Sequence, residues 1–260
     1  MSGTASGIVV EGPQALVANN VIDTGHAGGN AVPIGPSLSV SGADPIVRGN
    51  RLKSHGPAIV SCAPCSAGEM SDNSSLGTYG DVAFRVSARG PRFIVRNNQV
   101  TAAGRAGFQF DGGNVFATNN SVTDSGVQNF GYGFIVHSTV DGTPTLSHNT
   151  ARGCTDSGFR ILASGVTLDG NVSLGSGLNG FSIARNDEGL ETTGVVLRNN
   201  RAVDSAAAGF ALFDGAVATI LTGNEGVANR YDLCDDGTGT DLSGGNRFPV
   251  VSTVCDVARY

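Results

Sequence analysis

The stretch Val95-Arg96-Asn97-Asn98-Gln99-Val100 returns further along the chain as Leu168-Asp169-Gly170-Asn171-Val172-Ser173. Its fourth residue belongs to a series of regularly placed asparagines: Asn20, Asn50, Asn73, Asn98, Asn120, Asn149, Asn171, Asn200, Asn224 and Asn246. The intervals between them are 30, 23, 25, 22, 29, 22, 29, 24 and 22 residues. A period of this length indicates a solenoid, in which each unit is one coil that buries its apolar face only against its neighbours.

The residues around the asparagines indicate short strands. The position three before each of the first nine asparagines is apolar, whereas the next position is mostly polar, and this alternation is typical of a strand with one buried side. About ten residues after the asparagine a second strand begins, usually with Gly-Phe, as at Gly107-Phe108, Gly158-Phe159, Gly180-Phe181 and Gly209-Phe210. No helical periodicity of useful length is present. Each unit is therefore predicted as strand, asparagine turn, strand, glycine-rich turn and strand.

The length of the unit favours parallel stacking. An interval of 22 residues is too short for helix-containing repeats, and the units carry too few leucines for leucine-rich repeats. Parallel strands about 4.8 Å apart would place equivalent asparagines over one another, with their amides hydrogen-bonded along the stack. Replacing Asn171 by leucine should then cost about 1–3 kcal/mol for each neighbouring amide that loses a partner. Asn199, one position before a ladder asparagine, should tolerate the same change much better.

With this repeat, the V-R-N-N-Q-V and L-D-G-N-V-S segments resemble the right-handed parallel β-helix family, the pectate-lyase-like superfamily. The resemblance runs from Ile8 to about Phe248 and implies an all-β fold, a single-stranded right-handed parallel β-helix (solenoid) of about nine to ten coils. We expect residues 1–260 to form a single domain, with an incomplete N-terminal coil and a last coil that closes near Cys234 and Cys255. The 39 glycines suit a fold with three turns in each coil.

Charge and hydropathy exclude two classes of partner. The net charge of −6 argues against a general nucleic-acid binder, which usually carries a basic stripe. No apolar stretch reaches about eighteen residues, so no membrane span is expected. The chain shows no signal peptide before Ile8. We therefore expect either a cytoplasmic protein or one whose leader was removed, and the abrupt start inside a coil favours the second. The oligomeric state is not indicated.

The five cysteines carry different expectations. Cys234 and Cys255 follow their asparagines by ten and nine residues, so they should stack on neighbouring coils. A disulfide between them is favoured, with two buried thiols as the alternative, and oxidation would place the protein outside the cell or in the periplasm. Cys62 and Cys65 form a C-x-x-C without a second pair, which favours a local disulfide or simple burial over zinc binding or redox chemistry. Cys154 is expected in the interior.

In the family that this chain resembles, substrate lies along the outward face of the strand that follows the glycine turn. On that face we expect a first column that includes Arg85, Gln109 and Arg160, and a second column with Asp111 and His137. These polar residues fall on four consecutive coils, within about 15 Å, so they form the candidate site.

The chemistry of these residue types suits a lyase or epimerase. Asp111 would orient the imidazole of His137 and raise its basicity. Arg85 and Arg160, with Gln109 beside them, would bind the carboxylate of a uronic acid and so acidify its C5 proton. His137 would remove that proton, and Tyr132 would act as acid or second base. The expected catalytic residues are therefore His137, Tyr132 and Asp111, without a metal or other cofactor.

Departures from known relatives leave other functions open. The Asn-Thr-Asp and Gly-His-Gly motifs of polygalacturonases and the Asp-Pro-His-Glu motif of alginate C5-epimerases are absent, and tryptophan is missing. The alternatives are a non-catalytic β-helix that binds a glycan or a partner, and an enzyme for a small non-sugar substrate. The polar cluster itself has a simpler interpretation as a solvated ladder of charged side chains. The acidic segment 185–191 is expected to be a plain loop, a wall of a groove or a calcium ligand.

Overall fold

The computed structural model describes residues 8–24, 37–54, 58–77, 81–126, 130–137 and 142–255. These residues form β-strands and connecting turns, and the described ranges contain no helix. The strands are β1 (Ile8–Glu11), β2 (Leu16–Ala18), β3 (Val21–Thr24), β4 (Leu38–Gly42), β5 (Ile46–Arg48), β6 (Arg51–Ser54), β7 (Ala58–Ser71), β8 (Ser74–Leu76), β9 (Val82–Arg96), β10 (Gln99–Thr101), β11 (Ala106–Asp111), β12 (Val115–Thr118), β13 (Ser121–Thr123), β14 (Tyr132–His137), β15 (Thr145–Ser147), β16 (Thr150–Arg152), β17 (Phe159–Ile161), β18 (Thr167–Asp169), β19 (Val172–Leu174), β20 (Phe181–Ile183), β21 (Thr192–Thr193), β22 (Val196–Arg198), β23 (Arg201–Val203), β24 (Ala208–Leu212), β25 (Ala216–Val217), β26 (Ile220–Thr222), β27 (Glu225–Val227), β28 (Tyr231–Asp235), β29 (Asp241–Gly244) and β30 (Val251–Ser252).

Each strand pairs in parallel with the equivalent strand of the next coil. The strands after the asparagine turn form one sheet, from β3 and β6 through β10 and β13 to β27. The strands before the asparagine and those after the glycine turn join into one larger sheet, because β7 and β9 run through both positions. This all-β arrangement of stacked parallel strands confirms the predicted fold class. A short third sheet pairs β21 with β25.

Phenylalanines from the glycine turns stack along the interior. Phe84, Phe108, Phe134, Phe159, Phe181 and Phe210 are fully buried, and successive rings lie 5.1, 5.0, 4.8, 4.7 and 4.9 Å apart in near-parallel orientation. These separations match the spacing of neighbouring strands, so the rings report the register of the coils directly. The column fixes which side chains point inward and therefore which ones point outward on the same strands.

The asparagine ladder runs the length of the stack. From Asn20 to Asn224, each Nδ2 donates to the Oδ1 of the next ladder asparagine at 2.9 or 3.0 Å, and the chain of bonds ends at Asn246. Each Oδ1 also accepts the backbone N–H of the preceding ladder asparagine, as Asn200 does from Asn171 at 2.9 Å. A second bond from Nδ2 goes to a backbone carbonyl, such as that of Leu146 for Asn171. The interior amides are thus saturated on both sides.

The residue before the ladder asparagine has a left-handed backbone, which adds a cost to leucine at this position. Asn199 has φ 53° and Asn97 has φ 56°, while Gly170 and Gly223 occupy the equivalent turn with φ 65° and 66°. Leucine is strained at such a φ, by about 1–2 kcal/mol, so Asn199 is less tolerant of this change than its exposed side chain suggested. Glycine is the substitution that the turn accepts.

The cysteines are buried and mostly oxidised. Cys234 is joined to Cys255 and Cys62 to Cys65 by disulfides, whereas Cys154 is a free buried thiol. Within the described ranges no helix has the length and hydropathy that a membrane crossing needs.

Candidate active site

The predicted site residues of the two columns lie on one outward face, here called the groove face. It is formed by strands β9, β11, β14, β17 and β20. Backbone pairing aligns Arg85 with Gln109, Gln109 with Ile135, and Ile135 with Arg160. Asp111 aligns with His137 in the second column. The predicted columns are therefore the observed ones, because the inward phenylalanines leave only one outward register on each strand.

A cleft on this face, called the N-terminal cleft here, has a volume of about 390 Å³. It is lined by Arg85, Arg105, Gln109, Asp111, His137, Asp187 and Glu188. Asp111 is the centre of its hydrogen bonds, since Oδ2 accepts from Arg85 Nε at 2.6 Å and from Ser87 Oγ at 3.3 Å. Its Oδ1 accepts from Gln109 Nε2 at 2.8 Å. Asp111 thus holds Arg85 and Gln109 in place.

His137 is paired with Asp187, not with Asp111 as the sequence suggested. Its Nδ1 lies 2.9 Å from Asp187 Oδ2. Two facts explain the difference: the charged guanidinium of Arg85 takes Asp111, and a loop that the repeat does not predict brings Asp187 to the ring. The Nε2 atom of His137 is shielded from solvent and has no hydrogen-bond partner among the described residues. A proton-transfer role for His137 therefore requires the loop to move.

The loop that carries Asp187 spans residues 184–191, between β20 and β21, and is called the wall loop here. Asn186 shapes it, because its Oδ1 accepts the backbone N–H groups of Glu188 and Leu190 at 3.0 and 2.7 Å. The loop descends past β17 to His137 on β14, two coils away, so the interpretation as a wall of the groove fits its position. In the described ranges no group of three or more His, Cys, Asp or Glu side chains has the arrangement of a metal site.

The second cleft, the C-terminal cleft, lies on the other side of the wall loop and has a volume of about 250 Å³. It is lined by Asp156, Ser157, Arg160, Leu178, Asn179, Ser182, Ala184, Arg185, Phe213 and Asp214. Arg185 pairs with Asp214 at 3.2 Å, and Phe213 contributes an aromatic side chain that is half-buried. This cleft combines cations, carboxylates and apolar surface, which is the usual composition of a small-molecule site.

Arg160, which lines the C-terminal cleft, contacts the buried Tyr132. Arg160 Nη1 donates to the Tyr132 hydroxyl at 3.0 Å, and the guanidinium carbon lies 5.2 Å from the centre of the tyrosine ring. Tyr132 is 7 % exposed and packs against Ile135, Val82 and Ala106 outside the main core. Burial raises the pKa of Tyr132, and the nearby Asp156 acts in the same direction while Arg160 opposes both. The structure thus separates this pair from His137, which lines the other cleft.

Asp156 is a site residue that the sequence analysis missed. It is 3 % exposed, and its Oδ1 accepts from Ser157 Oγ at 2.7 Å. Burial raises the pKa of the Asp156 carboxyl, while the hydrogen bond from Ser157 and the charge of Arg160 act against that rise. Asp156 lies before Gly158-Phe159, outside the outward columns that follow each Gly-Phe pair. The residue two before Gly158 was the available signal, since Tyr132 stands in the same region, one position before Gly133.

Comparisons with known proteins agree with the architecture. The family model described as "right handed beta helix region" matches residues 89–253. Among solved structures, an alginate lyase from Paenibacillus sp. str. FPU-7 is similar at a TM-score of 0.51 and 13% sequence identity, over 95% of this chain and 90% of that one. At that identity the likeness shows a shared fold. No curated protein sequence matches the chain. The family match spans well over half of the sequence, and the chain belongs to the right-handed β-helix family.

Proposed function

We propose that this protein is a lyase or epimerase that acts on glycans containing uronic acids, with the reacting sugar bound over Tyr132 and Arg160. One observation carries the proposal: Arg160, whose side chain lines the C-terminal cleft, donates a hydrogen bond of 3.0 Å to the hydroxyl of Tyr132. A cation that binds a carboxylate and a group that transfers a proton thus stand side by side, on neighbouring coils.

The pair fits the first step that lyases and epimerases share. When a guanidinium neutralises the carboxylate of a uronic acid, the negative charge that develops on loss of the C5 proton is stabilised. Tyr132 is placed to exchange that proton, because its hydroxyl touches the same guanidinium. After proton loss, expulsion of the C4 oxygen gives the unsaturated product of a lyase, whereas return of a proton from the other side gives an epimer.

The N-terminal cleft would bind the next sugar of the chain. Arg85 and Gln109, held by Asp111, present donors for a second carboxylate or for hydroxyl groups. His137 would serve as the other acid–base group once the wall loop moves from its ring. The similar fold of an alginate lyase supports a search among acidic glycans. The two disulfides support a location outside the cell or in the periplasm.

The test is turnover of a panel of uronic-acid polymers, alginate among them, followed by the ultraviolet absorbance of the unsaturated product and by composition of the sugars. Tyr132→Phe should lower kcat by about 100-fold or more, since general acid–base groups contribute factors of this order. Arg201→Gln is the control and should leave the rate unchanged. It breaks an exposed ion pair with Glu225, and both residues lie on the sheet that does not form the groove face. Equal rates for the wild type and Tyr132→Phe would contradict the proposal.

Non-catalytic glycan binding is the second candidate, favoured by the environment of His137. One of its ring nitrogens is bonded to Asp187 and the other is shielded, so the imidazole is held as a structural group in this conformation. Binding of a uronic-acid polymer without any change in its covalent structure would support this candidate. In that case Arg85→Ala and Arg160→Ala should weaken the complex, and Tyr132→Phe should not abolish it.

A further inference from the structure

Asp156 is a buried carboxylate for which the proposed mechanism has so far given no role. It lies in the turn before β17, and two backbone hydrogen bonds hold it between coils: its N–H donates to the Gly131 carbonyl, and its carbonyl accepts from Leu178, both at 2.9 Å. Gly131 is the direct neighbour of Tyr132, so the backbone places the carboxylate beside the tyrosine. A charged side chain buried to this extent in a cleft needs an explanation.

Arg160, Tyr132, Asp156 and Ser157 lie in sequence, each in contact with the next. Arg160 donates to the Tyr132 oxygen at 3.0 Å, so that oxygen acts as an acceptor, and the hydroxyl proton of Tyr132 is available for Asp156. Beyond the effect of burial, the Asp156 carboxylate acts to raise the pKa of Tyr132, and the Tyr132 hydroxyl acts to lower the pKa of Asp156, so the two groups are neighbours. Ser157 supplies a second donor to the carboxylate at 2.7 Å. A carboxylate only accepts, so Asp156 is the group beside Tyr132 that can receive its hydroxyl proton, while the tyrosine oxygen accepts from Arg160.

We propose that Asp156 takes the hydroxyl proton of Tyr132 during the reaction, so that the Tyr132 oxygen becomes the base that removes the C5 proton of the uronic acid. This role rests on the function proposed above. It makes Asp156 a positioning and proton-accepting partner that acts through Tyr132 without touching the sugar. Under this proposal the base is Tyr132 and not His137, because Nδ1 of His137 is hydrogen-bonded to Asp187 and its Nε2 is shielded from solvent.

The protons and electrons balance over the cycle. The C5–H proton moves to the Tyr132 oxygen, the Tyr132 proton moves to Asp156, and the electron pair of the C–H bond stays on the sugar as an enolate held by Arg160. The enolate then forms the C4–C5 double bond and breaks the bond between C4 and its oxygen. That oxygen takes a proton from Tyr132, which regains the one on Asp156. The protein returns to its starting state, and the two products are an unsaturated uronate and an alcohol.

The surroundings of Asp156 bear on such a transfer. Burial raises the pKa of Asp156 and so increases the affinity of this carboxyl for a proton, while burial also raises the pKa of Tyr132. Among the described residues, the titratable groups that act on the pair are the Arg160 guanidinium, the Arg105 guanidinium on the side of Tyr132, and the thiol of Cys154 near Asp156. Burial raises the pKa of Cys154 to about 11, so the thiol stays neutral and adds no charge at working pH.

Steady-state kinetics of Asp156→Asn on a uronic-acid polymer test this role. The amide keeps the size and accepts a hydrogen bond but takes up no proton, so kcat should fall by about 100-fold while KM stays within about threefold. The acidic limb of the pH profile should move to alkaline pH, where Tyr132 ionises by itself. Asp156→Glu should restore part of the rate. Asp72→Asn, at a distant turn with φ 56° that asparagine also adopts, is the matched control.

An NMR titration of Tyr132 does not depend on turnover, so it tests this inference independently of the proposed function. With tyrosine labelled with carbon-13 at Cζ, the Tyr132 signal should titrate at a lower pKa in Asp156→Asn than in the wild type, because a negative neighbour is removed. Asp72→Asn should leave it unchanged. An unaltered Tyr132 titration, or full activity with an intact acidic limb, overturns the inference. A shifted titration without turnover of any uronic-acid polymer sustains the Tyr132–Asp156 pair and contradicts the lyase or epimerase function.

Discussion

The Nδ1 atom of His137 lies 2.9 Å from Asp187 Oδ2, although fifty residues separate the two along the chain. This contact holds the wall loop across the coil of β17, and residues of that loop line both the N-terminal and the C-terminal cleft. It also determines the accessibility of the imidazole, because the side chain of His137 is only 18 % exposed beneath a loop residue that is 67 % exposed.

Removing the carboxylate should therefore open the ring of His137 to reagents. In Asp187→Ala the loop loses its contact with β14, and modification of His137 by diethylpyrocarbonate, measured site by site with mass spectrometry, should become several-fold faster. Glu191→Ala alters an exposed acid of the same loop and serves as the control. Identical modification rates in Asp187→Ala and the wild type would show that the loop does not shield the ring.

The ladder predicts a steep difference between neighbouring asparagines. Asn171→Leu removes the partners of Asn149 and Asn200 in the sealed interior and should lower the free energy of unfolding by about 3 kcal/mol or more. Asn199→Gly should change it by less than about 0.5 kcal/mol, because glycine adopts the left-handed backbone freely. Urea unfolding of the purified variants measures both. Comparable losses at the two positions would mean that the ladder does not stabilise the stack.

The disulfide of the last described coil should contribute measurable stability. Cys234 and Cys255 enclose a segment with a sequence separation of 21, for which loop closure is worth about 3 kcal/mol. Replacing both by alanine should lower the midpoint of unfolding, whereas the bridge between Cys62 and Cys65, with a separation of only 3, should matter less. Thermal unfolding of the two double variants compares them. A larger loss of stability on removing the Cys62–Cys65 bridge than on removing the Cys234–Cys255 bridge would contradict the expectation that the longer loop contributes more.

The raised pKa of Asp156 makes its effect on stability depend on pH. The folded protein holds this proton to a higher pH than the unfolded chain, whose carboxyl titrates near 3.8, so the stabilising effect is present at low pH and is lost as pH rises through the folded pKa. Asp156→Asn does not titrate. Relative to the wild type, its free energy of unfolding should therefore improve between about pH 4 and pH 7. A difference that is constant over this range would place the Asp156 pKa at its ordinary value.

The fold is more predictable from the sequence than the candidate site is. Asn98 and Asn120 stack because one coil follows another at a nearly constant length, so counting residues predicts their contact and also the columns of Arg85 and Arg160. The contact of His137 with Asp187 depends on the path of a loop inserted between repeats, and no period describes that path.

The position of Asp156 in the cleft was not predicted from the sequence for a related reason. The turn before Phe159 does not alternate like a strand, so the direction of the Asp156 side chain follows from backbone hydrogen bonds to Gly131 and Leu178 rather than from position in the repeat. The regular part of each coil is thus predictable from the sequence, and the turns that complete the clefts are not.

The most direct measurement of the proposed function is a proton NMR spectrum of uronic-acid glycans, alginate included, incubated with the protein in deuterated water. The C5 proton signal should be lost, through either an unsaturated product or deuterium in an epimer, and Tyr132→Phe should prevent this loss. Glycans that bind the wild-type protein yet keep every C5 proton would contradict a lyase or epimerase function and leave the groove face as a binding surface.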